Sequence, residues 1–204
     1  NTPARVDAPA VARLRAAGAI LIGRSNMVEF AFGGVGLNPH YGTPKNPYDR
    51  ATGRVPGGST SGGAVAQADG MCVMALGSDT RGSIRQPAAL CGVAGFKPTT
   101  RRVPREGAFP LSTTLDSIGP LANSIACCAA YDAILAGETP DPLLELPIKG
   151  LRLMLPRSGA LDDLDTHVTR TFVSTLSRLG KAGAVLTEVK VPLFDRQAEM
   201  HPAR

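Results

Sequence analysis

Short apolar runs alternate along the chain with polar, glycine-rich stretches, and the period of each run predicts its element. Asp7-Ala8-Pro9 is an N-cap signal with proline in the first turn, and Val11 and Leu14 continue a helix that Gly18 ends. Residues 19–22 are uniformly apolar and read as a buried strand. Arg24-Ser25-Asn26 caps a second helix over 27–32, with Met27, Phe30 and Ala31 on one face. From Gly33 to Gly58 there is little periodicity and much Gly, Pro and Asn, which predicts a long ordered loop.

Further on, the pattern predicts a helix over 59–68, a strand buried on both faces over 72–76, a helical turn over 87–90 and a short buried strand over 92–96. Residues 116–121 read as extended, 124–136 as a helix ending at Gly137, and 140–147 as a connecting loop. A strand over 151–155, an amphipathic helix over 165–182 with Val168, Phe172, Leu176 and Leu179 in one stripe, and a strand over 184–191 complete the chain. This alternation predicts an α/β layered sheet. Internal repeats and low-complexity tracts are absent.

Two stretches do not fit a packed core: Pro56-Gly57-Gly58-Ser59-Thr60-Ser61-Gly62-Gly63, and Gly77-Ser78-Asp79-Thr80-Arg81-Gly82-Ser83-Ile84-Arg85-Gln86-Pro87. Flexible linkers also concentrate Gly and Ser, but linkers do not carry Val65, Cys72, Val73, Met74 and Leu76 between them. Loops that bring backbone close to something, followed by buried elements, describe them better.

Composition narrows the chemistry. A chain of 204 residues, 43% hydrophobic, can bury a real core. It contains no run of 18 apolar residues, and Asn1-Thr2-Pro3-Ala4-Arg5 lacks a signal-peptide pattern, so a cytoplasmic protein without a membrane partner is expected. The net charge of +5 comes mostly from scattered arginines, with Arg101, Arg102 and Arg105 the one cluster. Without aromatic interleaving this reads as a solvated face, not a nucleic-acid footprint. Cys72, Cys91, Cys127 and Cys128 show no Cys-x-x-Cys spacing and no histidine pair accompanies them, so neither metal, cofactor nor disulfide framework is expected.

A phosphate-binding loop would need Gly-Lys-Ser/Thr, and no lysine lies between Lys45 and Lys97. Gly34-Val35-Gly36 lacks the third glycine and preceding strand of a dinucleotide fingerprint. None of Ser59, Ser61 or Ser83 sits in Gly-x-Ser-x-Gly, and His167 and His201 read as surface histidines. A different arrangement remains open. Ser83 follows a strand and a turn whose backbone N–H groups can form an oxyanion hole, and Ser59 offers a second hydroxyl for proton transfer to a base. Alternatively, Ser59 caps its helix and Ser83 merely occupies a turn.

Both loops, together with Cys91-Gly92-Val93-Ala94-Gly95-Phe96-Lys97-Pro98-Thr99, closely resemble the amidase signature family. Residues 7–32, Asn38-Pro39 to Asn46-Pro47 and Ser117-Ile118-Gly119-Pro120 are similar to it as well, so the resemblance covers nearly the whole chain. It implies an α/β/α layered fold with a central mixed sheet, present over residues 1–204 as a partial domain. It implies hydrolysis of a small linear amide, without a cofactor, by a homodimer or together with amidotransferase partner subunits. Ser83 matches the nucleophile and Ser59 the bridging serine that follows a cis peptide. Thr80, Arg81 and Gly82 match the oxyanion loop; Asp79, Arg85 and Ser61 match residues that support it.

The chain departs from the family pattern in two places. The family's base is a lysine whose position falls before Asn1, and none of Lys45, Lys97, Lys149, Lys181 or Lys190 substitutes for it. Arg81 stands where the family has glycine, a demanding position if it requires positive φ or close approach of substrate. Family members also continue beyond the strand ending near Val191. The expectation is a central segment of an amidase domain, with two alternatives: an inactive remnant that keeps the fold, or the amidase subunit of a tRNA-dependent amidotransferase. Residues 33–42 look more like stand-alone amidases.

Overall fold

The computed structural model describes residues 4–157, 161 and 163–195. It divides into two compact units, residues 1–143 and 144–204.

The first unit is built on a small antiparallel sheet. Strand β1 (Met74–Asp79) pairs with β3 (Ser117–Ala122) from Met74 opposite Ala122 to Asp79 opposite Ser117, and β2 (Ala94–Gly95) pairs with the other side of β3. Successive residues of a strand face opposite ways, and here each face meets a pair of helices. Met74, Leu76 and Ile118 pack with Ala10 and Leu14 of α1 (Pro9–Ala16) and Leu135 of α4 (Ile125–Ala136). Ala75 and Leu121 turn the other way and pack with Ala64 of α2 (Ser61–Ala68) and with Ile84 and Ala88 at α3 (Arg85–Cys91). The result is the expected α/β/α layering, with every residue of the central strand β3 buried.

Helix α4 shows why its boundaries were legible. Ser124 Oγ accepts the Cys127 N–H at 3.1 Å, and Gly137 takes φ 85° to close the helix. Arg13 donates to the Leu135 carbonyl at 2.6 Å, placing a cation at the negative end of that helix.

The second unit is a strand–helix–strand arrangement. Strands β4 (Arg152–Arg157) and β5 (Val185–Lys190) run parallel, with Arg152 opposite Val185, and α5 (Thr166–Lys181) lies between them in sequence. Asp165 caps α5 by accepting the His167 N–H at 2.8 Å. A short α6 (Pro192–Asp195) follows. Among the described residues no helix is long and apolar enough to cross a membrane.

Four expectations are corrected. Residues 19–22 form no strand: Ile20 and Ile22 are 87% and 72% exposed, and a strand without a ladder partner has nothing to hold it extended. The helix over 27–32 is only a 3-10 turn (Glu29–Ala31) in which Phe30 and Ala31 take φ of 52° and 58°. Its backbone groups serve tertiary partners: Val28 N–H donates to the Ser59 carbonyl at 3.0 Å and Asn38 Nδ2 donates to the Met27 carbonyl at 2.7 Å. Strand 72–76 begins later, at Met74, and is half-buried, because Val73 points into solvent and Cys72 turns back to Gln67 Oε1. Finally, Ala8 holds the N-cap position of α1 without a side-chain bond, while Asp7 pairs with Arg15. The stripe on α5 exists, yet no residue of that helix is buried.

Candidate active site

Strand β1 delivers Asp79 into the turn that leads to Ser83. The Asp79 carboxylate is fully buried and accepts the N–H groups of Gly82 (2.7 Å), Ile84 (3.1 Å) and Arg85 (3.3 Å), with Nε and Nη2 of Arg85 both at 3.0 Å. Burial alone would raise its pKa, but the Arg85 guanidinium and the backbone donors outweigh it and hold the carboxyl below its ordinary 3.8. The same contact raises the Arg85 pKa. This bidentate pair ties the end of β1 to the start of α3.

Within the turn, Gly82 takes φ +132°, and a Cβ there would lie 2.9 Å from the Gln86 side chain. Arg81 does not take a positive φ, so glycine is required one position later than the resemblance suggested. Thr80 is fixed by its hydroxyl, which donates to Asp116 Oδ1. Asp116 Oδ2 in turn accepts the N–H groups of Leu111 and Ser112, both at 2.9 Å. Asp116 was missed in the sequence because its role needs a partner 36 residues away. The Gly82 N–H is committed to Asp79. Among the described residues the N–H groups of Arg81 and Ser83 donate to no protein acceptor. Ser83 itself, immediately before the Ile84 cap of α3, is 9% exposed.

The first loop is held differently. The N–H groups of Gly57 and Gly58 donate to the carbonyls of Val35 (3.1 Å) and Gly34 (2.8 Å), and Gly62 N–H donates to Asn26 at 2.9 Å. A Cβ at Gly62 would stand 2.5 Å from the Asn26 nitrogen and 2.6 Å from its oxygen, so only glycine allows that contact. Asn38 secures the strap through Asn26 Oδ1 (3.2 Å) and accepts the His40 and Tyr41 N–H groups. The long loop over 33–58 is therefore ordered by tertiary bonds, and the buried asparagines in Asn-Pro pairs were its signal. Burial first, then Asp69, pushes the Cys91 thiol up to about 11, and it donates to the Pro56 carbonyl at 3.3 Å.

The loops meet where Thr60 N–H donates to the Ser83 carbonyl at 3.2 Å. The Gly58–Ser59 peptide is cis. Ser59 and Ser61 are fully buried, and neither hydroxyl has a hydrogen-bond partner among the described residues. Neither serine caps α2, whose N-cap position belongs to Thr60 without a side-chain bond. Of the lysines, Lys97 binds the Pro98 carbonyl (2.6 Å) and Ser117 Oγ (3.3 Å), and Lys45, Lys149, Lys181 and Lys190 are exposed. His167 is exposed on α5, with Nδ1 3.2 Å from Arg170 Nη2, and His201 lies outside the described residues. A cleft of about 220 Å³ lined by Ser78, Arg105, Phe109 and Asp116 opens on the Asp116 side of the turn.

The arrangement brings together the nearly buried Ser83, the N–H groups of Arg81 and Ser83 that meet no protein acceptor among the described residues, and the buried, unbonded hydroxyls of Ser59 and Ser61. The Amidase family model matches residues 1–203. The chain is 42% identical over 199 residues to a glutamyl-tRNA(Gln) amidotransferase subunit of Salinibacter ruber, covering 91% of this chain and 38% of that protein. It is 53% identical over 142 residues to the AtzE subunit of 1-carboxybiuret hydrolase from Pseudomonas sp. strain ADP, covering 69% of this chain and 30% of that one. A crystal structure of an amidase superposes with a TM-score of 0.84 at 41% identity, covering 94% of this chain and 43% of the amidase. The chain thus spans well under half the length of each.

Proposed function

This chain belongs to the amidase signature family, and from that premise we propose that its protein hydrolyses a linear carboxylic amide through an acyl-enzyme on Ser83. Ser83 Oγ attacks the carbonyl carbon while its proton passes to Ser59 Oγ, which releases its own proton to a base. The resemblance assigns that base to a lysine from a position before Asn1. The carbonyl oxygen, now an anion, is received by the N–H groups of Thr80, Arg81 and Ser83; the Gly82 N–H serves the turn instead. Collapse expels the amine with a proton returned through Ser59, and water then cleaves the ester by the same route in reverse. Asp79, Arg85 and Ser61 keep the two loops in register.

One observation carries this reading: Ser59 Oγ is buried and unbonded directly beside the residue whose N–H binds the Ser83 carbonyl. An unsatisfied buried hydroxyl costs roughly 1–3 kcal/mol, and a relay that takes its partners from the base and the substrate accounts for it. In the intact protein a fluorophosphonate should label Ser83, and Ser83→Ala should abolish the label. Absence of labelling in the unmodified protein, or equal labelling in the variant, would turn the reading to an inactive scaffold that keeps the fold.

A second reading rests on the 42% identity to a protein of a tRNA-dependent amidotransferase. Here the same acyl chemistry would run within a complex with partner subunits. Turnover of simple amides by the purified protein alone would speak against it. The free cysteines, Cys72, Cys91, Cys127 and Cys128, support a reducing, cytoplasmic setting for either case.

A further inference from the structure

Arg81 is clamped on both sides yet its side chain is committed to nothing. Before it, Thr80 is tied to Asp116; after it, Gly82 is tied to Asp79. Its guanidinium is exposed and makes no ion pair or hydrogen bond among the described residues, whereas Arg15, Arg50, Arg85 and Arg102 all find carboxylates. The acids that tie its two neighbours cannot neutralise it. Asp79 is saturated by Arg85 and backbone donors, and Asp116 by Thr80, Leu111 and Ser112. Its backbone takes no positive φ, so arginine neither relieves nor creates strain in the turn. Arg24, Arg101 and Arg152 are likewise exposed without a side-chain partner among the described residues, but Arg81 alone of these stands on a tied turn two residues from Ser83.

We propose that Arg81 selects amides that carry a carboxylate, pairing its planar fork with the substrate's second acid group while Ser83 attacks the amide. The proposal rests on the acyl-enzyme reading above and adds the charge of the substrate. A guanidinium matches a carboxylate through two parallel N–H···O bonds, which a lysine at the same place would reproduce only as a point charge. The net charge of +5 favours approach of such anions.

The test uses the full-length protein with succinamate and its uncharged counterpart succinamide. The unmodified enzyme should prefer succinamate in kcat/KM, and the preference should shrink with added salt. Arg81→Gln should reduce the succinamate-to-succinamide ratio by about tenfold or more, and Arg81→Lys should retain part of it. An unmodified enzyme without preference, or a ratio unchanged in Arg81→Gln, overturns the proposal. Failure of the acyl-enzyme reading is seen separately, as absence of fluorophosphonate label on Ser83. In that case calorimetric binding of succinamate decides the matter: weaker in Arg81→Gln supports the anion site, and equal binding in both proteins overturns it.

Discussion

The two loops that meet at Thr60 and Ser83 are held by opposite means. The Ser83 turn is organised by a buried carboxylate, Asp79, that gathers backbone and guanidinium donors, with Asp116 fixing Thr80 from the other side. The Ser59 loop has no such centre. It is pinned by backbone bonds to residues 26–35 and by glycines that allow close approach, and it leaves the Ser59 and Ser61 hydroxyls unbonded. Charge therefore concentrates at the Ser83 turn, and unsatisfied polarity at the Ser59 loop. Each half of that comparison can be broken by one substitution.

The largest effect is expected at Asp79. Asp79→Ala strips the acceptors from Gly82, Ile84 and Arg85 together and leaves a guanidinium without its partner. The Arg85 side chain is 53% exposed and can be rehydrated, so the loss comes chiefly from the backbone N–H groups left without an acceptor and should be about 3 kcal/mol, which urea unfolding would register. The carboxyl also sets a pH dependence. Its folded pKa lies below the ordinary 3.8, so its contribution is complete above that value and is lost as pH falls through the lower folded value. Unfolding followed from about pH 5 down to pH 2 should show a steeper loss in the unmodified protein than in Asp79→Ala. Parallel curves would remove Asp79 from the centre of the turn.

Gly62→Ala attacks the other loop through volume instead of charge. The added methyl must displace the Asn26 backbone, which lies 2.5 Å from its site, and overpacking of this kind costs about 1–3 kcal/mol. The damage should spread to the strap, seen as faster hydrogen exchange at Val28 and Gly62, while the Ser83 turn keeps its protection. Equal loosening of both loops would show that they are one unit.

How much of this was legible in the sequence depended on whether a residue's partner was local. Helix α4 could be read from its own ends, since Ser124 and Gly137 act within one turn of the helix. The stretches that form β1 and β3 were legible as extended, though not which of their residues face which helices. Residues 27–32 had a helical spacing but not a helix, because Val28 and Met27 bond to Ser59 and Asn38 instead of to their own turn. Residues 19–22 had a strand's composition and no described strand to pair with. At the site, Asp79 and Arg85 were visible as a pair within one motif, whereas Asp116 and Asn26 act across long separations. Whether position 81 requires positive φ could not be read from the residues; the positive φ falls at Gly82 and not at Arg81.

The smallest change in stability is expected where the chemistry is most exposed to loss. Ser59→Ala removes a buried hydroxyl that bonds to nothing among the described residues, so no partner is orphaned. Stability should not fall, and should rise by about 1 kcal/mol, the lower end of the cost of an unsatisfied buried hydroxyl. On the proposal that this hydroxyl carries the proton from Ser83, amide turnover should fall by roughly 10²–10⁴-fold. The dissociation of the two readouts is the point of the experiment: a group kept for packing would lower both, and a group kept for proton transfer lowers one. A stability loss above about 2 kcal/mol would mean that Ser59 is satisfied in the folded protein, and the contrast between the loops would then collapse.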